Sequence, residues 1–374
     1  MVNPRLTGRI PELDGLRGLA ILLVVIAHYI AYALPNGVSG AWQAYALALF
    51  RLTWTGVDLF FVLSGFLIGG ILYDAKYSKN FYRTFYSRRF YRIVPLYFLW
   101  IVIFIVGLYF AGADSAGPLG AIFNHDVPAW SYPLFIQNVI MAHRQTFGAS
   151  WIATTWSLCI EEQFYLLFPL FVQRLSWRGI AWVAFAAILG APVVRLILWA
   201  DGNPYVGPYT LLPCRADSLG FGVLAALICR NENAWTWLAA HRRHLYWALL
   251  ILACGFASLA HYEGLLYNVG LTWIDAFYAV LLLLVVVNPG TIESCFRNQA
   301  LMKLGTVSYA VYIFHLGINE LLHLAIFGKA ASVVDWSSLG VTLASFVTVM
   351  LLSAFTWRVI EKPLIRYAHA AYSY

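Results

Sequence analysis

Long apolar runs separated by short polar stretches dominate this chain of 374 residues. About ten of these runs are long enough to cross a bilayer, since about 20 predominantly apolar residues span the hydrocarbon core as a helix. We predict these helices at residues 15–35, 54–73, 93–112, 155–173, 179–200, 213–229, 245–262, 271–288, 304–327 and 338–358. The expected fold is therefore an all-α integral membrane bundle.

Composition supports a membrane protein and excludes a soluble one. Hydrophobic residues make up 61% of the chain and charged residues only 11%, against about 25% charged in soluble proteins. The net charge of +7 would suggest nucleic acid in a soluble protein. Here the basic residues fall in short loops between apolar runs, as orientation in a bilayer requires. We therefore expect the lipid bilayer, and no nucleic acid, as a partner.

The basic residues also predict the orientation. An even number of spans places both termini on one side, and most of the 24 Lys and Arg, including Arg5 and Arg9, then face that side. The positive-inside rule makes it the cytoplasm. Residues 113–154 form the longest stretch on the other side, and we expect a cap or a re-entrant segment there. We expect residues 1–374 to form a single transmembrane domain, with no soluble C-terminal domain.

A buried histidine is the strongest functional signal of the first span. His28 follows Arg17 by eleven residues, which at about 100° and 1.5 Å per residue returns to nearly the same helix face about 16 Å further on. Arg17 at the membrane edge therefore shares a face with an imidazole at lipid depth. Ionisable groups at that depth are costly, and such a group is a functional candidate by default.

Depth along the other spans predicts a polar centre. Counting about eleven residues from the cytoplasmic end of each helix reaches the same layer. The ionisable residues found there, with His28, are Asp58, Glu161, Glu162 and His315. A histidine held by a carboxylate is a general base for a hydroxyl. Asp58 or Glu161 would orient the imidazole, and a structural role is favoured for Glu162, because neighbouring helix residues face about 100° apart.

Three arginines stand at the cytoplasmic mouth of the third predicted helix. They are Arg88, Arg89 and Arg92, in the sequence Tyr-Ser-Arg-Arg-Phe-Tyr-Arg-Ile-Val-Pro. Guanidinium groups bind phosphates with a fork of N–H donors. The alternative is that this predicted loop only sets topology and touches lipid phosphates. The five cysteines are scattered, without the spacing of a metal site, and we predict no metal.

Seven motifs together resemble acyltransferase family 3, the integral-membrane O-acyltransferases. They are Leu13–Arg17 followed by His28, Gly56–Phe66, Arg88–Pro95, Trp156–Tyr165, Arg215–Asp217, Ser308–His315 and Glu361–Pro363. Their order is that of the family and they cover nearly the whole chain. Phe314 before His315 departs from the family, where Trp is frequent.

The resemblance implies acyl-CoA, commonly acetyl-CoA, as a cytoplasmic donor substrate, and no permanently bound cofactor. It also implies a carbohydrate or glycolipid acceptor of the cell envelope and a multi-pass protein of the inner membrane. In this interpretation Arg88, Arg89 and Arg92 hold the donor phosphates, and His28 is the general base. Direct transfer and transient acylation of a side chain both stay open.

Further candidates carry structural alternatives. Arg215, Asp217, Tyr165 and His315 are expected to contact substrate. The candidate donors to an oxyanion are Arg215, Tyr165 and a backbone N–H near Ser64-Gly65. Arg215 and Asp217 could equally form a local ion pair. Ser64 before Gly65 favours a close-packing site over a nucleophile, and Glu361-Lys362-Pro363 indicates a helix stop.

A transporter is the competing functional class. Buried His, Asp and Glu also suit the proton relay of a proton-coupled transporter or flippase. Transporters usually show internal repeats and paired broken helices, and the sequence gives no sign of either. The arginine cluster, moreover, has no evident use in a transporter.

Overall fold

The computed structural model describes residues 8, 10–34, 50, 52–111, 117–259, 262–287 and 290–374. Regular structure in these ranges is helical, without strands, which confirms the all-α fold class. Arg5, Arg9 and the predicted helix ends at residues 35, 112 and 288 lie outside the described residues.

Most of the predicted spans appear with small shifts at their ends. The long helices are α1 Pro11–Ile26, α2 Gly56–Asp74, α3 Phe81–Ala111, α4 Trp156–Arg174, α5 Trp177–Ala200, α6 Leu212–Arg230, α7 Arg242–Leu259, α8 Leu271–Val287, α9 Ser308–Phe327, α10 Trp336–Thr356 and α11 Lys362–Ala371. Eight helical segments of the described ranges are long and apolar enough to cross a membrane. Helices α4 and α7, predicted as spans, form but are not among these eight. The chain is a multi-pass membrane protein by this measure.

Helix α3 corrects the prediction for the arginine cluster. It begins at Phe81 rather than at residue 93, so the three arginines lie on a helix and not on a loop. Phe81, Thr84 and Phe85 are buried, and their i, i+3, i+4 spacing is that of an amphipathic helix face. The polar residues between them lower the hydropathy of this stretch, and so a search for apolar runs missed it.

The predicted helix stop at Glu361 is also wrong. Helix α10 continues through a five-residue π turn, Trp357–Glu361, directly into α11. Pro363 lies in the first turn of α11, where a helix needs no backbone N–H donor. A similar π turn, Ala27–Ala31, follows α1 and contains His28. The predicted helix at 304–327 is divided, with Gln299–Thr306 preceding α9.

The helices group into two compact units. The first unit is Met1–Ala20, Val57–Ser78 and Ile160–Thr306, and the second is Ile21–Gly56, Lys79–Cys159 and Val307–Tyr374. In the first unit, α2 and α6 pack with their backbones in contact. A Cβ built on Gly65 would lie 2.1 Å from the carbonyl oxygen of Leu219, and one built on Gly222 would lie 2.1 Å from that of Val62. The close-packing interpretation of Ser64-Gly65 is thereby confirmed.

In the second unit, α9 runs beside α3 in the same direction. Tyr309 donates a hydrogen bond to the carbonyl oxygen of Ile93 at 2.7 Å. Further along both helices, the rings of Trp100 and Phe314 lie 4.9 Å apart. These two contacts fix the register of α9 on α3.

The segment predicted as a cap forms short helices within the second unit, among them Gly117–Ile122, Gln137–Arg144 and Ser150–Thr155. It packs on α3 through a buried polar chain. Tyr97 donates to the carbonyl oxygen of Tyr132 at 2.9 Å, and the Gln137 amide donates to the Tyr97 hydroxyl at 3.0 Å. Its position over an outer mouth stays a prediction.

Candidate functional site

His28 is held by its own helix. Its Nδ1 atom lies 2.8 Å from the carbonyl oxygen of Val24, one turn earlier. A carbonyl accepts only, so this contact assigns the proton of the neutral ring to Nδ1 and leaves the lone pair on Nε2. The side chain is half-buried. His28 therefore presents a basic nitrogen, and a main-chain carbonyl orients it.

His315 of α9 lies against His28. The ring centroids are 5.0 Å apart and the ring planes meet at 65°. His315 is fully buried, and its Nδ1 contacts the carbonyl oxygen of Tyr312 at 2.7 Å. Its Nε2 has no hydrogen-bond partner. The two imidazoles thus meet in the second unit, each with Nδ1 bound to its own helix.

A tyrosine ties the first span to the main chain of His315. Tyr29, the residue after His28, donates to the carbonyl oxygen of His315 at 2.8 Å, and its hydroxyl lies 3.1 Å from that of Ser345 on α10. Three membrane helices are thereby joined at the level of the histidine pair. Such buried hydrogen bonds fix side-chain positions, because a lost partner would leave a polar group unsatisfied.

The first unit holds a separate buried charge cluster. Arg195 of α5 is fully buried and has four acceptors: the carbonyl oxygens of Asn268 and Cys214, the Asp217 carboxylate at 2.9 Å and the Thr272 hydroxyl. Thr272 in turn donates to Asp217 at 2.6 Å. This ion pair is closed, since every N–H-bearing nitrogen of the guanidinium is engaged.

A second pair in that cluster is only partly satisfied. Arg215 binds Asp58, both fully buried, and its guanidinium lies over the rings of Phe61 and Tyr209 at 5.5 and 5.4 Å. Its Nε and Nη1 have no hydrogen-bond partner, and neither has either carboxylate oxygen of the buried Asp275. The structure pairs Arg215 with Asp58 and Asp217 with Arg195. The alternative of a local ion pair between Arg215 and Asp217 is therefore not what forms, because the crossing helices offer each residue a different partner.

The other predicted residues lie as follows. Arg17 pairs with Asp14 at 2.8 Å. The Tyr165 hydroxyl lies 2.7 Å from that of Ser64. Asp58, Glu161 and Glu162 belong to the first unit, whereas His28 and His315 belong to the second. That these five residues share one layer, and that a carboxylate orients His28, therefore stay predictions. Among the described residues, no group of three or more His, Cys, Asp or Glu could hold a metal ion.

The arginine cluster faces residues near the end of the chain. Arg88 donates from Nε and Nη2 to the carbonyl oxygen of Tyr372, at 3.0 and 2.7 Å. Arg92 interacts electrostatically with Glu361, which is buried in the π turn after α10. The cluster is therefore one face of a contact between α3 and α11.

Comparison with known proteins decides the family. A family model described as "Acyltransferase domain" matches residues 10–358. The chain belongs to this acyltransferase family. No solved structure matches the chain.

Three curated relatives of the chain are named as O-acetyltransferases. The chain is 28% identical to the putative peptidoglycan O-acetyltransferase YrhL of Bacillus subtilis, over 95% of the chain and 55% of the relative. It is 27% identical to the peptidoglycan O-acetyltransferase OatA of Listeria monocytogenes, over 95% and 56%. With the O-acetyltransferase OatA of Staphylococcus aureus it shares 27%, over 100% and 60%. The chain spans little more than half the length of these relatives.

Sequence reasoning missed part of the buried polar network of this chain. Arg195 was not identified as a fully buried charge, and Asp275 and Tyr29 were not singled out. The signal that found His28 was also present for Arg195 and Asp275, since each is a charged residue inside an apolar run. The partners of Tyr29 are distant in sequence, and no local pattern reveals them.

Proposed function

We propose that this chain is a membrane O-acyltransferase that moves an acyl group, most simply acetyl, from cytoplasmic acyl-CoA to a hydroxyl of a cell-envelope glycan. Membership of the acyltransferase family supports the reaction class. The names of the relatives, peptidoglycan O-acetyltransferases, support a glycan acceptor. The inner membrane follows from this choice of donor and acceptor.

The register of α9 on α3 carries the proposal. Tyr309 contacts Ile93; Arg89 lies four residues before Ile93, and His315 six residues after Tyr309. Because the helices run in the same direction, Arg89 and His315 are separated by about ten residues, or about 15 Å along the axes. An extended pantetheine arm is of comparable length. Arginine-bound phosphates could then present a thioester beside the histidines.

The chemistry needs one base. His28 Nε2 takes the proton of the acceptor hydroxyl while the hydroxyl oxygen forms a bond with the thioester carbonyl carbon. The carbon–sulfur bond breaks, and the imidazolium returns its proton to the departing thiolate. The products are an ester and free CoA, and no net proton is consumed. The half-buried position of His28 favours it as the base over the fully buried His315.

Other residues bind and position. The Nε2 of His315, which lacks a partner, can accept a hydrogen bond from a second hydroxyl of the glycan, because the reacting hydroxyl donates its one proton to His28. Arg88, Arg89 and Arg92 hold the donor phosphates through charge-assisted hydrogen bonds. The roles of Arg17, Asp58, Glu161, Glu162, Tyr165, Arg215 and Asp217 toward substrate stay predictions.

Turnover of acetyl-CoA by purified protein in detergent tests the proposal. Release of free thiol is followed with and without a peptidoglycan fraction, for wild type, His28→Ala and the double variant Arg88→Ala/Arg89→Ala. We expect acceptor-dependent release by the wild type, loss of release in His28→Ala with CoA affinity retained, and loss of CoA affinity in the double variant.

Binding of CoA separates the possible failures. A double variant with unchanged CoA affinity would refute the donor site while leaving the reaction class intact. A wild type that neither binds CoA nor releases thiol would refute the acyltransferase proposal. The buried charges would then be better explained by a proton-coupled transporter or flippase.

A further inference from the structure

The chain after α11 lies along the first turns of α3. Helix α11 ends at Ala371, and Tyr372 is extended, with φ −129° and ψ 113°. We call residues 372–374 the strap. The carbonyl oxygen of Tyr372 accepts both bonds from Arg88. The next carbonyl, of Ser373, accepts from the Thr84 hydroxyl at 2.9 Å. The strap is therefore anchored through its main chain, side by side with the arginine cluster.

Aromatic rings of the strap cover the same face. Arg88 lies over the ring of Tyr374 at 5.2 Å from the centroid, and Arg83 lies over the ring of Tyr372 at 5.7 Å. Burial raises the pKa of the Tyr374 hydroxyl, while the nearby charges of Arg89 and Arg88 lower it. Cation–π contacts of this kind are favourable but individually weak. The strap thus covers cationic groups with main-chain carbonyls and aromatic rings.

The atoms that the strap engages are those a phosphate needs. The Nε and Nη2 donors of a guanidinium form the fork that binds two phosphate oxygens. In Arg88 both donors converge on one neutral carbonyl oxygen. A phosphate is the stronger acceptor, because its negative charge adds an ionic attraction to the guanidinium that a neutral carbonyl oxygen lacks. The carbonyl oxygen of Tyr372 and a phosphate cannot both occupy this edge of Arg88.

We propose that the strap is a built-in competitor of the donor nucleotide, which occupies Arg88 while the site is empty and is displaced by the phosphates of acyl-CoA. This inference rests on the proposed donor site. It assigns that site a regulatory element that the reaction itself does not require. The apparent affinity for acyl-CoA is then the intrinsic affinity multiplied by the fraction of molecules in which the strap is open.

Thr84 offers a clean test, because it holds the strap without belonging to the arginine cluster. Thr84→Val removes the hydroxyl at nearly constant shape, and Thr84→Ser keeps it as a matched control. CoA binding to the full chain in detergent is measured by calorimetry. We expect Thr84→Val to bind CoA roughly three- to tenfold more tightly than wild type, the effect of about one hydrogen bond lost by the competitor. Thr84→Ser should match wild type.

A second variant removes a different contact of the strap, the one between Tyr374 and Arg88. Tyr374→Ala removes the ring that lies over Arg88, and we expect it to tighten CoA binding in the same direction. Hydrogen exchange at residues 372–374 supplies an independent measure, since CoA should accelerate exchange there. Melting temperatures of all variants are compared, so that a folding defect is seen directly.

The outcomes distinguish the strap from the donor site. If CoA binds wild type and Arg89→Ala weakens it, but Thr84→Val and Tyr374→Ala bind no more tightly, the strap is not a competitor and only this inference is overturned. Weaker CoA binding by Tyr374→Ala would indicate that the strap is part of the nucleotide site. The inference that the strap is a competitor would then be overturned as well. If CoA binds none of the proteins, both the proposed donor site and its competitor are refuted.

Discussion

The imidazole rings of His28 and His315 meet edge to face, with their centroids 5.0 Å apart, while each Nδ1 is bound by a carbonyl of its own helix. Neither ring depends on the other for its orientation. One histidine can therefore be replaced without turning its neighbour, and the contribution of each to a reaction can be measured separately.

His28→Ala should abolish most acyl transfer while leaving the fold intact. A general base contributes about 10²- to 10⁴-fold, and kcat should fall by that factor with CoA affinity unchanged. His323→Ala is the control, since His323 is a buried histidine of α9 whose ring binds Thr342. Measurement of thiol release for both variants checks this. Equal losses in the two variants would contradict a specific role for His28.

The buried charge cluster of the first unit predicts unequal effects of two similar substitutions. Asp58→Asn breaks the buried pair with Arg215, and loss of one partner of such a pair costs about 3–5 kcal/mol. Asp275→Asn should leave the melting temperature unchanged or raised, because Asp58, Asp217 and Asp275 exceed Arg195 and Arg215 by one charge. Thermal unfolding in detergent compares the two. A large loss in Asp275→Asn would mean that its carboxylate has a required partner.

The contact between α2 and α6 predicts intolerance of a single methyl group. Gly65→Ala would force a Cβ against the carbonyl oxygen of Leu219, and overpacking of this kind costs about 1–3 kcal/mol or more. Gly190→Ala on α5 is the matched control, because a Cβ there meets nothing within 4 Å. We expect Gly65→Ala to lower the melting temperature and Gly190→Ala to leave it unchanged. A stable Gly65→Ala would show that the two helices can separate.

The start of α10 predicts a dependence on pH. Hydrogen bonds from the backbone and side chains of Ser338 and Ser337 lower the pKa of Asp335 to about 2. A carboxyl whose pKa is lower in the folded state stabilises that state above its unfolded pKa, and the effect disappears as the pH falls. Asp335→Ala should therefore melt below wild type above about pH 4, and the difference should shrink toward pH 2. A difference that is no smaller at pH 2 than at about pH 5 would exclude the carboxylate charge as its cause.

Apolar runs were sufficient to predict the membrane helices, but not where their polar ends begin. The first turns of α3 escaped because Arg83, Arg88 and Arg89 dilute their hydropathy, although Phe81 and Phe85 keep a helical face. Pro363 was misinterpreted because Pro normally ends a helix, whereas here a π turn precedes it and the helix continues into α11. Both errors come from judging a residue without its neighbours in space.

The candidate site, too, was predicted only in part, because its residues come from helices that are distant in sequence. His28 and His315 were each recognisable as ionisable residues at lipid depth, and the structure brings them together. The partner of Asp58 could not be deduced, because Arg215 follows it by 157 positions. Depth along a helix is encoded locally, but rotation and pairing between helices depend on packing of the whole unit.

The closed pair of Arg195 and Asp217 also bears on how the protein enters the bilayer. A charged residue at the centre of an inserting helix costs about 2.5–3.5 kcal/mol on insertion scales. Helices α5 and α6 are consecutive long helices that pack on one another, with Arg195 on the first bound to Asp217 on the second. Insertion as a hairpin lets Arg195 and Asp217 neutralise each other before either faces lipid alone. The pairing that stabilises the folded unit thus also favours its biogenesis, with two helices released into the membrane together.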